Sequence, residues 1–392
     1  MPEPFDTLFD HPFLGRGFRP FFLLGAIYSA MSLLIWGGFY AGHITPPSFL
    51  LDPVSWHAHE MIYGFAMAIV AGFLLTAVAN WTSAAPVRQI HLAGLCLIWL
   101  AGRAVMSFDF GLPSAAIFII EGSFIPALAI SLAIPLLKSW SKRNFVFLAL
   151  LSILLACDLG FLITENRTPL YIAIMIIITM ISLIGGRVIP AFTVAALRRR
   201  GEKAFQTPQG RMDILALTSL VCIVLTLVFV GTQGIVLAGA SFISATIHAL
   251  RMRHYHTLKI LNDPMVWILH VGYAWVIVGL LLMSLAALNI LAFSTALHAL
   301  TAGAIGSMTL GMMCRVTLGH TGRNLIAGKL TTLSFILMQG AALLRVLGPV
   351  IVPDQASLWI TISAFLWSAC FILYLLLYAR ILWQPRPDGR AA

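Results

Sequence analysis

Twelve times along this chain a run of about twenty apolar residues is closed off by a short polar segment. A helix rising about 1.5 Å per residue needs roughly twenty such residues to cross the hydrocarbon core of a bilayer. Lipid offers nothing for a bare N–H or C=O to bond, so a spanning segment must be a helix or part of a closed barrel. Continuous apolar runs, rather than alternation, select helices. The runs are predicted at about 18–40, 56–80, 90–108, 114–137, 144–164, 170–195, 212–231, 234–251, 265–288, 291–316, 331–351 and 357–383. The expected fold class is therefore all-α, a polytopic membrane bundle of about 12 transmembrane helices.

Composition agrees. Of 392 residues, 60% are hydrophobic and 10% charged, against roughly 25% charged in a soluble domain. The net charge of +10 raises a nucleic-acid partner as a question, and the distribution of the charge answers it. Arg16, Arg19, Arg88, the run Arg198–Arg200, Arg251, Arg315, Arg323 and Arg386 all fall at one set of span ends, whereas the opposite ends carry only Arg167. This is the bias that orients membrane helices, not a nucleic-acid patch, and it predicts both termini and all even-numbered loops in the cytoplasm. Residues 1–17 mix Phe and Leu with Asp, His and Pro and read as a cytoplasmic interfacial segment. Residues 18–383 form one twelve-helix domain and 384–392 a cytoplasmic tail. No basic region with a cleavage site opens the chain, so no removable signal peptide is expected. The five cysteines stand singly in apolar runs, which indicates neither a disulfide framework nor an iron–sulfur site. Extramembrane stretches are short, so any chemistry lies inside the bilayer or at its rim.

Charges in hydrocarbon are costly and usually mark a functional path. Sorting them by depth gives two layers. His57, His59, Glu60, Arg103, Glu121, Asp158, His298 and Arg345 fall toward the outer side; Arg187, His248 and His270 fall toward the cytoplasm. The stretch "WHAHEMIYGF" opens the second span. On a regular helix His57 and His59 point about 200° apart, so either His57 converges from a frayed first turn or the two serve different tasks. Glu60 stands beside them as a partner for an imidazole N–H or a proton carrier. Small residues follow His57, His298 and precede His248 at helical spacing, which suits close helix packing or the approach of a flat macrocycle to an axial imidazole. "HALTAGAIGSM" from His298 faintly echoes "HAHEMIYGFAM" from His57. No HExxH, P-loop or GxGxxG-plus-acid motif is present. Imidazoles without thiolate clusters favour copper, haem iron or zinc, and a proton relay is the alternative cargo. The candidate metal ligands are His57, His59 and His298. The candidate cofactor ligands are His248, His270 and His59. The candidate catalytic residues are Glu60, Glu121 and Tyr273, the last on the same side of its helix as His270.

Four stretches, "GFRPFFLLGA" (17–26), "WHAHEMIYGFAMAIVAGFLLTAV" (56–78), "GGRVIPAFT" (185–193) and "HALTAGAIGSMTLGMMCRVTLGHTGR" (298–323), together resemble the NnrS family. The resemblance implies a bacterial inner-membrane protein containing haem b and copper and tied to nitric oxide and nitrosative stress; for a reductase, quinol is the expected electron donor. It supplies no ligand set, so the residue assignments rest on depth and spacing. Three activities follow as expectations: reduction of nitric oxide to nitrous oxide, binding of nitric oxide without turnover, or transport of a metal, haem or metal–nitrosyl species. A transporter is expected to contain discontinuous helices, for which Pro126, Pro135 and Pro190 offer the breaks.

Overall fold

The computed structural model describes residues 10–389; the first part of the expected interfacial segment and the last three residues of the tail lie outside the described residues. Among these, twelve helices are long and apolar enough to cross a membrane. They are α1 Phe18–Tyr40, α2 Pro53–Thr82, α3 Gln89–Ser107, α4 Ser114–Lys138, α5 Lys142–Thr164, α6 Thr168–Arg199, α7 Gly210–Phe229, α8 Ile235–Met252, α9 Pro264–Ala287, α10 Phe293–His320, α11 Lys329–Ile351 and α12 Pro353–Trp383. The described residues contain no strand. The protein is a multi-pass all-α membrane protein, and every expected span has its helix within a few residues.

The helices gather into two compact units. The first takes the chain up to Leu170 with Met313–Leu325 and the segment from Phe371; the second takes Tyr171–Met312 and Ile326–Cys370. Hydropathy gives no sign of this division, because both units are built from spans of the same kind.

Three local features position the polar residues. The N-terminus of α2 is capped by Asp52, whose carboxylate accepts from the backbone N–H of Val54 and Ser55, with Pro53 supplying the first helical φ. Arg167 donates to Asp52 at 3.1 Å and to Ser55 Oγ at 3.1 Å. Burial works against the charged form of Asp52, but the Ser55 and Arg167 hydrogen bonds outweigh it and hold the carboxyl below the usual range. Next, α2 leaves α-geometry just after His59: Glu60–Ala66 is a π-helix. A second π-helix, Ala299–Ile305, follows His298 in α10. Such wider turns cost stability and concentrate at functional sites. Finally, α4 is interrupted at Ser123 between Ser114–Gly122 and Phe124–Lys138. Pro126 has no N–H to give the Gly122 carbonyl one turn back, so the break falls two residues after Glu121.

Candidate functional site

In the first unit, five successive helices send six polar groups to a common point, α2 contributing two. His59 of α2 is fully buried. Its Nδ1 lies 2.8 Å from Glu60 Oε1 and its Nε2 2.9 Å from Asp158 Oδ1 of α5. Glu121 Oε1 of α4 is 3.9 Å from the same Nε2. Arg103 of α3 donates from Nη1 to Glu60 Oε2 at 2.7 Å and from Nη2 to Glu121 Oε1. Tyr28 of α1 donates its hydroxyl to Glu60 Oε2, and the guanidinium lies over the Tyr28 and Trp99 rings at 5.9 and 6.0 Å. The π-helix brings Gly64 against this group: a Cβ there would sit 2.5 Å from the Tyr28 ring and 3.2 Å from Arg103. Glycine is what lets α1 and α3 approach so closely. The Gly64 carbonyl accepts the Trp99 indole N–H at 3.1 Å.

The charges do not balance. Three buried carboxylates face one guanidinium and one imidazole, so even a cationic His59 leaves a negative surplus. Glu121 Oε2 is buried with no hydrogen-bond partner. An uncompensated buried charge is strongly unfavourable, and a further cation, a proton or a metal ion, would balance the cluster. The donor atoms of His59, Glu121 and Asp158 all lie within 4.8 Å of one another. Two ligands each about 2.1 Å from one ion stand at most about 4.2 Å apart, and the spacings of 2.9 and 3.9 Å about His59 Nε2 meet that limit. One imidazole with two carboxylates suits a divalent ion of the copper(II), iron or zinc type and not copper(I), which prefers sulfur. Glu60, on the far ring nitrogen of His59, stands where a metal-bound imidazole keeps its outer partner.

The second unit buries a different set. Arg251, 1% exposed, donates to Asp213 Oδ1 from Nε and Nη2 at 2.9 and 2.5 Å. Its Nη1 donates to the Ser182 carbonyl and hydroxyl, both at 3.0 Å, and to the Tyr273 hydroxyl at 2.9 Å. A Cβ at Gly186 would collide with this guanidinium. Pro190, four residues on, leaves the Gly186 carbonyl without its helical donor. His248 Nδ1 is 2.7 Å from the Tyr273 hydroxyl, and its Nε2 makes no hydrogen bond of ordinary geometry. His270 holds Thr193 Oγ1 at 2.8 Å on Nε2 and Thr257 Oγ1 at 2.9 Å on Nδ1. Tyr255, in the loop after α8, is fully buried; burial first, and then the Tyr273 hydroxyl, pushes its own hydroxyl well above the usual phenol range.

Nε2 of His59 already faces the carboxylates of the acidic group and both nitrogens of His270 hold hydroxyls. His248 has its Nδ1 on a hydroxyl and its Nε2 outside any ordinary hydrogen bond, and of the three it best suits an axial haem ligand, which needs a ring nitrogen to spare.

The expected site residues thus separate. His59, Glu60 and Glu121 come together in the first unit with Arg103 and Asp158. Tyr273 and His248 come together in the second, with His270 one turn before Tyr273 on α9. His57 belongs to the first unit and stacks on Trp36, ring centroids 4.1 Å apart and 4° from parallel, so the two imidazoles of the His57/His59 pair face different partners and do not converge. His298 belongs to the second unit, its Nδ1–H donating to the Ser294 carbonyl at 2.6 Å. The faint echo between the two histidine stretches has a structural counterpart in the paired π-helices. Their frames match His59 with His298 and Gly64 with Gly303, two residues away from the alignment by His-Ala. Gly303 meets the Trp275 ring as Gly64 meets Tyr28.

Sequence reasoning missed Tyr28, which carries no charge, and placed Arg251 among the loop cations. Its signal was present: Arg251 lies three residues beyond His248, on the same helical face. No curated protein matches the chain. The sequence profile of the NnrS protein family matches residues 12–386, nearly its whole length.

Proposed function

We propose, from the premise that this chain belongs to the NnrS family, that it reduces nitric oxide within the bacterial inner membrane, with quinol as the electron source. The balanced reaction is 2 NO + 2 H⁺ + 2 e⁻ → N₂O + H₂O. What supports the reading is one observation: the surplus of buried acid around His59, a store for cations in a region where nitric oxide itself partitions.

In this reading His59, Glu121 and Asp158 would hold copper, and His248 would hold the iron of haem b. When bound, these groups would supply single electrons to nitric oxide. The chain's own residues do the rest. Arg103 fixes Glu60 and Glu121 by donating to both. Glu60 orients the His59 ring through Nδ1 and accepts the Tyr28 hydroxyl proton at Oε2. The aromatic and aliphatic walls of α1 to α5 exclude water, which strengthens each of these pairings. The charge bias of the loops supports N- and C-termini in the cytoplasm, with the His59 cluster toward the periplasm, where protons enter.

The test is direct. Purified protein given reduced quinol and nitric oxide is expected to release nitrous oxide, and Glu60→Gln is expected to keep its metal while slowing that release. Wild-type protein that binds nitric oxide stoichiometrically with no nitrous oxide would point to sequestration instead. A transport reading has its own support in the α4 break beside Glu121, since discontinuous helices flank transported ions. Proton or metal uptake into proteoliposomes, with no nitric oxide chemistry, would select it.

A further inference from the structure

Where α1 begins and where α10 and α12 end, four arginines of the first unit converge: Arg16, Arg19, Arg323 and Arg386. Arg19 is fully buried. Its Nη1 donates to the carbonyls of Leu382 and Gln384 at 2.8 and 2.7 Å, while Nε and Nη2 have no partner. Its charged neighbours, Arg323, Arg386 and Arg16, are all of the same sign. Burial, and then Arg386, lowers the proton affinity of Arg16. Among the described residues Arg16 reaches the Asn80 amide oxygen at 3.4 Å, and Arg323 the Thr321 carbonyl at 3.2 Å. Arg386 donates to the His320 carbonyl at 2.9 Å and to both oxygens of Asp388 at 2.9 and 2.6 Å. Asp388 is the one carboxylate in these described contacts. Four guanidiniums against one carboxylate, with two donors of a fully buried arginine left over, is the inverse of the His59 cluster.

We propose that this arginine cluster binds a phosphate-bearing anion, the headgroup phosphate of an anionic phospholipid. Guanidinium forks match phosphate oxygens in pairs. A buried donor without an acceptor is costly, and an anion supplies the acceptors while relieving the mutual repulsion. The level in the fold favours lipid over a soluble source. These residues stand at the ends of three spanning helices, where headgroups lie, and basic pockets between such ends take anionic headgroups. Trp383 closes α12 at the same level, with His11 and Phe13 against it at 4.6 and 4.8 Å, in the manner of aromatic residues that sit among headgroups. Gly322, at φ +72°, makes the turn that delivers Arg323; a Cβ there would press on Asp388 and Arg386 at 3.1 and 3.3 Å. Two motifs that the nitric oxide chemistry does not use, "GFRPFF" (17–22) and "LGHTGR" (318–323), thereby acquire a role.

The full chain, delipidated in neutral detergent, tests this by thermal unfolding and native mass spectrometry with added cardiolipin and, separately, with inorganic phosphate. Cardiolipin is expected to raise the unfolding temperature and to remain bound in the gas phase. Arg323→Ala and Arg386→Ala are each expected to weaken it roughly fivefold. Equal protection by inorganic phosphate alone overturns the lipid as the source. Wild-type protein that responds to neither overturns the site, and that result stands even if a variant fails to fold. Folded variants that bind cardiolipin as tightly as wild type overturn it as well.

Discussion

Each compact unit buries an arginine, a tyrosine and a histidine, yet one core carries a surplus of acid and the other is balanced in charge. In the first, Arg103 faces Glu60, Glu121 and Asp158, and the His59 imidazole is wedged between two of those carboxylates. In the second, Arg251 faces one carboxylate, Asp213, whose side chain is 38% exposed, and both histidines bond to neutral hydroxyls. In the second core the charged group is satisfied: the Arg251 donors find carboxylate, carbonyl and hydroxyl oxygens. The first core is not balanced, and a buried surplus of acid is what attracts a cation. The same residue types therefore sit in two different electrostatic settings, and the balance of charge tells them apart.

The largest expected effect breaks that contrast at the arginines. Arg103→Ala strands two fully buried carboxylates and is expected to destabilise the purified protein by about 3–5 kcal/mol in thermal unfolding. Arg251→Ala leaves Asp213 able to turn toward solvent, and about 1–3 kcal/mol is expected. Equal losses would mean that the two cores are electrostatically alike. A smaller effect sharpens the comparison: Tyr273→Phe removes one hydroxyl from a satisfied network and is expected to cost about 1 kcal/mol. Its effect on nitrous oxide release separates a packing tyrosine, with rate unchanged, from a catalytic one, with rate reduced.

The spans were legible because lipid imposes one requirement, a run of some twenty apolar residues, and each run met it. Glu60, Arg103, Glu121 and Asp158 were legible as one layer because charge in hydrocarbon stands out at a depth set by counting residues. Tyr28 was not, since an uncharged tyrosine near a span's middle looks like any other aromatic. The π-helices were hidden for a different reason. Glu60–Ala66 and Ala299–Ile305 are as apolar and helix-prone as their flanks, and their extra residue per turn rotates every side chain below it, so the stripes drawn beneath His57 and His298 from a regular helix do not hold. Arg19, Arg251 and Arg315 served the topology argument as loop cations, yet all three are buried. Arginines at helix ends serve both topology and tertiary contacts, and counting charges sees only the first.

The central claim is that the buried acid of the first unit holds a metal ion. Elemental analysis of purified protein, with correct folding verified for each variant, tests it most directly. Wild type is expected to carry a divalent first-row metal that Asp158→Asn and Glu121→Gln lose, while Thr193→Ala, in the hydroxyl-bonded core of the second unit, keeps it. Undiminished metal in both acidic variants would contradict the account.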